Sequence, residues 1–130
     1  MMPENFAVEI ISPNQSVLKS ETEEVTLPSF EGEMGILKDH VPLITFLRPG
    51  IITIKKNNNE IKFFIEEGTV EFSKNNLLIL TSTAKDLSKF NKDEINNLIK
   101  ISEQRLVQKD ISDKERYLLS HKIEVLKHVN

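Results

Sequence analysis

The 130-residue chain predicts an α+β architecture: an N-terminal antiparallel β-sandwich over residues 1–85, followed by a C-terminal two-helix antiparallel hairpin over residues 86–130. Three observations carry this. All five prolines, all four glycines and six of the seven phenylalanines precede residue 85, and nothing after it breaks a helix. Short β-branched and aromatic runs recur between turn residues in the first part, whereas apolar residues recur at helical spacing in the second. Charge divides at the same point: residues 1–84 hold 7 Lys/Arg against 12 Asp/Glu, net -5, and residues 85–130 hold 10 against 8, net +2. Opposite sign on two compositionally distinct stretches argues for two modules.

The strands are expected, in order, at FAVEIIS, EEVTLP, LITFL, GIITIKK, EIKFFIEE, GTVEFSK and LLILTST. Most alternate apolar and polar, as in Phe6-Ala7-Val8-Glu9-Ile10 and Thr69-Val70-Glu71-Phe72, so one side chain in two faces a core. Asn57-Asn58-Asn59 marks a hairpin tip. Many short strands at this spacing form a sandwich or flattened barrel, which presents recognition on its loops and rims.

Two helices follow, each opened by a capping pattern, Asn91 with Glu94 and Ser112 with Glu115. Ile95, Leu98, Ile99 and Leu106 fall on one face of the first, and Leu118, Leu119, Ile123, Val125, Leu126 and Val129 make a broader face on the second. Neither stripe stabilises a lone helix of about 15 residues. They pack together, on the sandwich or on a partner, and the short link from Gln108 to Ile111 makes an antiparallel hairpin the expectation.

Composition sets outer bounds. The chain is 38% hydrophobic and 28% charged, with mean hydropathy -0.29, ordinary values for a chain with one modest core. No apolar run approaches the roughly 20 residues of a membrane span, and MMPENFAVEI lacks the basic and apolar regions of a secretory signal. The absence of cysteine excludes disulfides and thiol chemistry and fits a reducing compartment.

The densest concentration of unusual residues is EGEMGILKDHVPLI, residues 31–44. Glu31, Glu33, Asp39 and His40 have the chemistry of metal ligands or acid-base groups, but no second His or Cys stands nearby at ligand spacing. His121 and His128 lie seven residues apart on the last helix and are expected to be solvated or to face its C-terminal dipole. No phosphate loop, nucleophile elbow, zinc pattern or basic aromatic stripe for nucleic acid occurs. Instead Gly32 and Gly35 allow close backbone approaches, and Pro42 and Pro49 bracket the LITFL strand, so the stretch reads as a shaped loop.

The ordered string LPSFEGEMGILKDHVPLITFLRPGIITI, with a Gly-Thr-Val strand near residue 68 and about 45 helical residues after it, closely resembles the epsilon subunit family of the bacterial rotary ATP synthase. The resemblance implies a β-sandwich followed by a helical hairpin, no catalytic activity and no cofactor. It places Glu31, Gly32, Glu33 and Met34 at a turn against the membrane-embedded c-ring, and Ser12, His40 and Thr45 toward the gamma subunit. It further implies a rotor piece coupling gamma to the ring, peripheral at the cytoplasmic face of the bacterial plasma membrane, whose helical tail opposes ATP hydrolysis by reaching the catalytic beta subunits. A stand-alone nucleotide-sensing β-sandwich is the alternative, and a small metal-dependent hydrolase a further one.

In one place the chain departs from the pattern. Some relatives bind ATP through Ile/Leu-Asp-x-x-Arg-Ala at the start of the first helix, which aligns with Phe90-Asn91-Lys92-Asp93-Glu94-Ile95. The aspartate has become Asn91 and the phosphate-facing arginine Glu94, an anion that repels the ligand. Arg105 and Lys100 do not restore that geometry, so ATP binding tighter than ~1 mM is not expected.

Overall fold

The computed structural model describes residues 4–129. Ten strands and two helices follow one another as β1 (Phe6–Ser12), β2 (Gln15–Thr22), β3 (Glu24–Ser29), β4 (Gly32–Leu37), β5 (Leu43–Leu47), β6 (Gly50–Lys56), β7 (Asn59–Ile65), β8 (Gly68–Ser73), β9 (Asn76–Leu80), β10 (Ala84–Asp86), α1 (Lys92–Leu106) and α2 (Asp113–Val129). The strands join in the order β10-β7-β6-β3-β5-β8-β9-β1-β2, with β4 on β3. A single residue pair, Ser29 with Leu47, links β3 to β5, so the sheet folds there into two leaves. Pairing is antiparallel except between β1 and β9, which run parallel with Val8 beside Leu77 and Ile10 beside Ile79.

Two-residue turns set the register. Asn57 and Asn58 have φ of 51° and 66°, and Lys74 and Asn75 have 49° and 58°, the twin left-handed residues of a type I′ turn, whose twist suits the flanking strands. Alternation then directs Phe6, Val8, Ile10, Val25, Leu27, Ile36, Leu47, Ile52, Ile54, Phe63, Ile65, Val70, Phe72, Leu77 and Ile79 into one core between the leaves. Burying each such side chain contributes roughly 1.5–3 kcal/mol. Where β2 meets β6, the Thr22 hydroxyl donates to the carbonyl of Lys55 at 2.7 Å, closing the far end.

The helices cover the outer surface of β6 and β7. Phe63, Phe64 and Ile65 are buried in succession, the pattern of a strand covered on both sides. Phe64 turns away from the sandwich and, with Phe90, Ile95, Ile99, Ile123 and Leu126, forms a second cluster, against which Ile51 packs. The Phe64 and Phe90 rings stack with centroids 5.9 Å apart. Asn91 caps α1 by accepting the Glu94 amide at 2.8 Å, while its own amide donates to the Glu94 carboxylate at 2.7 Å. Ser112 accepts the Glu115 amide at 3.0 Å. The Glu115 carboxylate takes two hydrogen bonds from Arg105 across the interhelical link, at 2.7 and 2.9 Å.

The stretch read as a shaped loop is largely strand, because Gly32–Leu37 pairs with β3 along its whole length, from Ser29 opposite Gly32 to Glu24 opposite Leu37. The strands β2 and β10 were likewise not anticipated.

Candidate docking surface

The β3–β4 turn is the most projecting part of that stretch. Phe30 and Glu31 form its two-residue tip, and Gly32, at φ +125°, occupies a conformation that side chains strain to adopt. The Ser29 hydroxyl, buried at the base, donates to the Gly32 carbonyl at 2.6 Å and holds the turn closed. Glu31 and Glu33 are exposed, and Met34 is half-buried against the sandwich core. Gly35 takes an ordinary strand conformation, and a Cβ there would meet nothing within 4 Å. Its freedom is therefore not used.

His40 follows a second turn, formed by Asp39 at φ 67°. Its amide donates to the Leu37 carbonyl at 3.1 Å, its Nδ1 donates to the Val41 carbonyl at 2.8 Å, and its ring meets Phe72 edge-on at 6.0 Å. Asp39 is tied to the β8–β9 turn through reciprocal bonds with Asn75, at 2.7 and 3.0 Å. The polar groups of this loop are thus engaged in holding backbone. Among the described residues no group of three or more His, Cys, Asp or Glu stands close enough to hold a metal ion. His121 packs against Tyr117 at 4.4 Å, and His128 Nδ1 donates to the Glu124 carbonyl at 2.8 Å.

Thr45 sits in β5, whose alternation assigns Leu43, Thr45 and Leu47 to the inner row and Ile44 and Phe46 to the outer one. Ile44 is 76% exposed and Phe46 63%. Register extends both outward positions across the leaf: Phe46 lies beside Thr69, Thr69 beside Leu80, and Leu80 beside Ile11. Ile44 lies beside Glu71, and Glu71 beside Leu78. The result is an outer face on the leaf β5-β8-β9-β1 with Ile44, Phe46 and Leu80 exposed around Thr69 and Glu71, continued by the exposed Val41.

Two clefts connect this face to the acidic tip. One of about 570 Å³ is lined by Ser12, Ile11, Phe46 and Leu80, and one of about 420 Å³ by Thr45, Phe46, Phe30 and Glu31. Phe46, Glu67, Gly68 and Lys114 line both. Ser12, Thr45 and Glu31 therefore lie along one stripe, while His40 lies beyond the opposite end of β5. Exposed apolar surface grouped in this way marks an interaction site, and an acidic rim gives it electrostatic direction. Ile44, Phe46 and Leu80 did not figure among the residues singled out from sequence. Their signal, a strand with large apolar residues in both phases of its alternation, was present in LITFL.

No helix of the described residues is long and apolar enough to cross a membrane. Residues 5–86 match the β-sandwich domain of the ATP synthase delta/epsilon chain family. The chain is 45% identical over 130 residues to the ATP synthase epsilon chain of Pelagibacter ubique, covering 99% of this chain and 100% of that one. It is 36% identical over 115 residues to the epsilon chain of Desulfitobacterium hafniense, covering 88% and 87%. Its fold matches a chain of the Euglena gracilis mitochondrial ATP synthase, solved with OSCP, F1 and c-ring, with a TM-score of 0.75 at 17% identity, covering 98% of this chain and 80% of that one. A chain of the Tetrahymena thermophila mitochondrial ATP synthase central stalk and c-ring matches with a TM-score of 0.69 at 15% identity, covering 98% of both.

Proposed function

The chain belongs to the ATP synthase delta/epsilon family, non-catalytic stalk subunits of the rotary enzyme, and we propose that it joins the gamma subunit to the c-ring through two parts of one surface. The outer face, with Ile44, Phe46 and Leu80 at its centre, Ser12 and Thr45 in the clefts at its edge and His40 beyond it, is the gamma-facing part. The acidic tip, Glu31 to Met34, is the ring-facing part. The observation that carries the reading is their continuity: the tip and the outer face share one rim, so a rigid sandwich can transmit torque between two partners without moving parts. Apolar burial would supply affinity on the gamma side, and carboxylates on a short, bonded turn would supply orientation on the ring side.

The working location is the cytoplasmic face of the bacterial plasma membrane, reached through the complex. The helical module, residues 86–130, is read as a regulatory element that opposes ATP hydrolysis by reaching the catalytic beta subunits. Nucleotide sensing is disfavoured by Glu94, whose carboxylate is bonded to Asn91 where a phosphate-binding cation would be needed.

Reconstitution with separately purified gamma and c-ring tests the division. Ile44→Asp with Phe46→Asp should weaken gamma binding by about tenfold or more and leave the sandwich folded, since both side chains point outward. Glu31→Lys with Glu33→Lys should weaken ring association and proton-coupled synthesis, at a cost in folding below about 0.5 kcal/mol. Unchanged gamma affinity in the first variant, or unchanged coupling in the second, removes that half of the reading.

A further inference from the structure

The tip and the hairpin are in direct contact. Phe30, at the end of the β3–β4 turn, stacks on Tyr117 of α2 with centroids 5.8 Å apart and planes 14° from parallel. The Tyr117 hydroxyl accepts a hydrogen bond from Arg48, on the β5–β6 connection, at 3.1 Å. Five residues further along α2, Lys122 forms an ion pair with Glu66 of the β7–β8 connection. Lys114, in the first turn of α2, lines the same cleft as Phe30 and Glu31. None of these residues belongs to the apolar cluster that holds the hairpin to β6 and β7. They form a second attachment to three neighbouring connections, and the Phe30–Tyr117 stack joins it to the turn itself.

We propose that this contact makes the tip and the docked position of α2 one coupled unit, so that a partner bound at the tip favours the docked hairpin and the docked hairpin strengthens binding at the tip. The physical reason is ordering. Phe30 is a large side chain on a two-residue turn, 41% exposed, and the Tyr117 ring restricts it before any partner arrives, which lowers the entropy lost on binding. Thermodynamic reciprocity requires the tip, once fixed, to hold α2 in return. The partner half of this proposal rests on the tip being a docking site; the internal half does not.

Amide hydrogen exchange on the isolated full-length chain tests the internal half. Tyr117→Ala should speed exchange at Gly32 to Met34, and Phe30→Ala should speed it at Arg116, whose amide bonds the Ser112 carbonyl at 2.9 Å. Each change should be about two- to tenfold, the worth of an aromatic pair. The double variant should be no faster than the larger single effect, because both remove one interaction. Tyr117→Phe, which keeps the ring and loses the Arg48 bond, should fall between wild type and Tyr117→Ala. Effects confined to the substituted element overturn the coupling.

Titration with purified c-ring tests the partner half: Tyr117→Ala should bind two- to tenfold more weakly than wild type. If Glu31→Lys abolishes ring binding while Tyr117→Ala leaves it unchanged, the coupling is wrong and the tip assignment stands. If Glu31→Lys also leaves it unchanged, the tip assignment falls and takes the partner half with it.

Discussion

The two apolar clusters of this chain are built on different plans. The sandwich core draws on every strand, with Val17, Leu18 and Ala84 closing its margins around residues that are almost wholly buried. The hairpin cluster is one-sided: Phe64 and Ile51 project from the sheet, Phe90 from the connection, and Ile95, Ile99, Ile123 and Leu126 from the helices. The first closes on itself, and the second exists only while two modules touch. Stability therefore resides in the sandwich, and the hairpin is an attachment whose release would leave the sandwich folded.

Removing one phenylalanine from each cluster tests this most severely. Phe72→Ala empties a position only 1% exposed and should cost about 3–5 kcal/mol, a large share of a domain's total of roughly 5–15 kcal/mol. The whole chain should then unfold together. Phe64→Ala removes an equally buried ring, 2% exposed, but the loss falls on the seam. Here the hairpin should loosen while the sandwich persists. The chain has one tyrosine and no tryptophan, so Tyr117 fluorescence reports α2 while amide NMR signals of β8 and β9 report the strands. Coincident denaturation curves in both variants would break the comparison.

A smaller effect separates a crowded position of the sandwich from an open one on its edge. At Gly68 an added Cβ would lie 2.7 Å from the Leu80 carbonyl and 3.3 Å from Thr81 Cβ, and a backbone carbonyl cannot yield cheaply. Gly68→Ala should cost about 1–3 kcal/mol. Gly35→Ala, on the edge strand with open space around it, should change stability by no more than about 0.5 kcal/mol. Urea midpoints of the two variants give the contrast directly.

Smaller again is the α1 cap. Asn91→Ala leaves the Glu94 amide without its acceptor and should cost about 1 kcal/mol. The loss should be felt as faster exchange in the first turn of α1, with β8 and β9 unchanged.

How much of this could be read from the sequence differs between the same regions. Both helices, their caps and most of their inward residues follow from spacing, because a helical face repeats locally and the caps are short-range chemistry, but Leu118 and Leu119 do not join the cluster and the buried Ser102 was not anticipated. Strands depend on what lies opposite. QSVLKSET reads as polar until β1 pairs with it, and GEMGIL looks like a loop because glycine ordinarily weakens a strand, yet β3 supplies partners along its length. Ala84–Asp86 is three residues long and gains its identity from β7 alone. In LITFL both phases of the alternation carry large apolar residues, so periodicity cannot say which faces outward; the pairing with β8 decides it. The contact of Phe30 with Tyr117 joins residues 87 positions apart, and no local pattern announces it.

The smallest expected effect comes from protonation, and its location sharpens the comparison. Hydrogen bonds from the Arg105 guanidinium hold the Glu115 carboxyl below its ordinary value of 4.5, partly opposed by desolvation and by the nearby Asp110. In the unfolded chain Glu115 titrates in the usual carboxylate range. Its contribution to folding is therefore fully present above that range and is lost as pH falls through the lower, folded value. Both groups are well exposed, so solvent screening keeps the effect modest. It should nevertheless be confined to the hairpin: acidification below pH 4.5 should shift the Tyr117 transition ahead of the strand signal. Glu115→Gln should remove part of that shift. Asp86, held low by the Ser88 hydroxyl and amide, titrates in the same direction at the junction of the two modules, so Asp86→Asn should remove a further part. A strand signal that moved equally with acid would mean that the hairpin and the sandwich unfold as one.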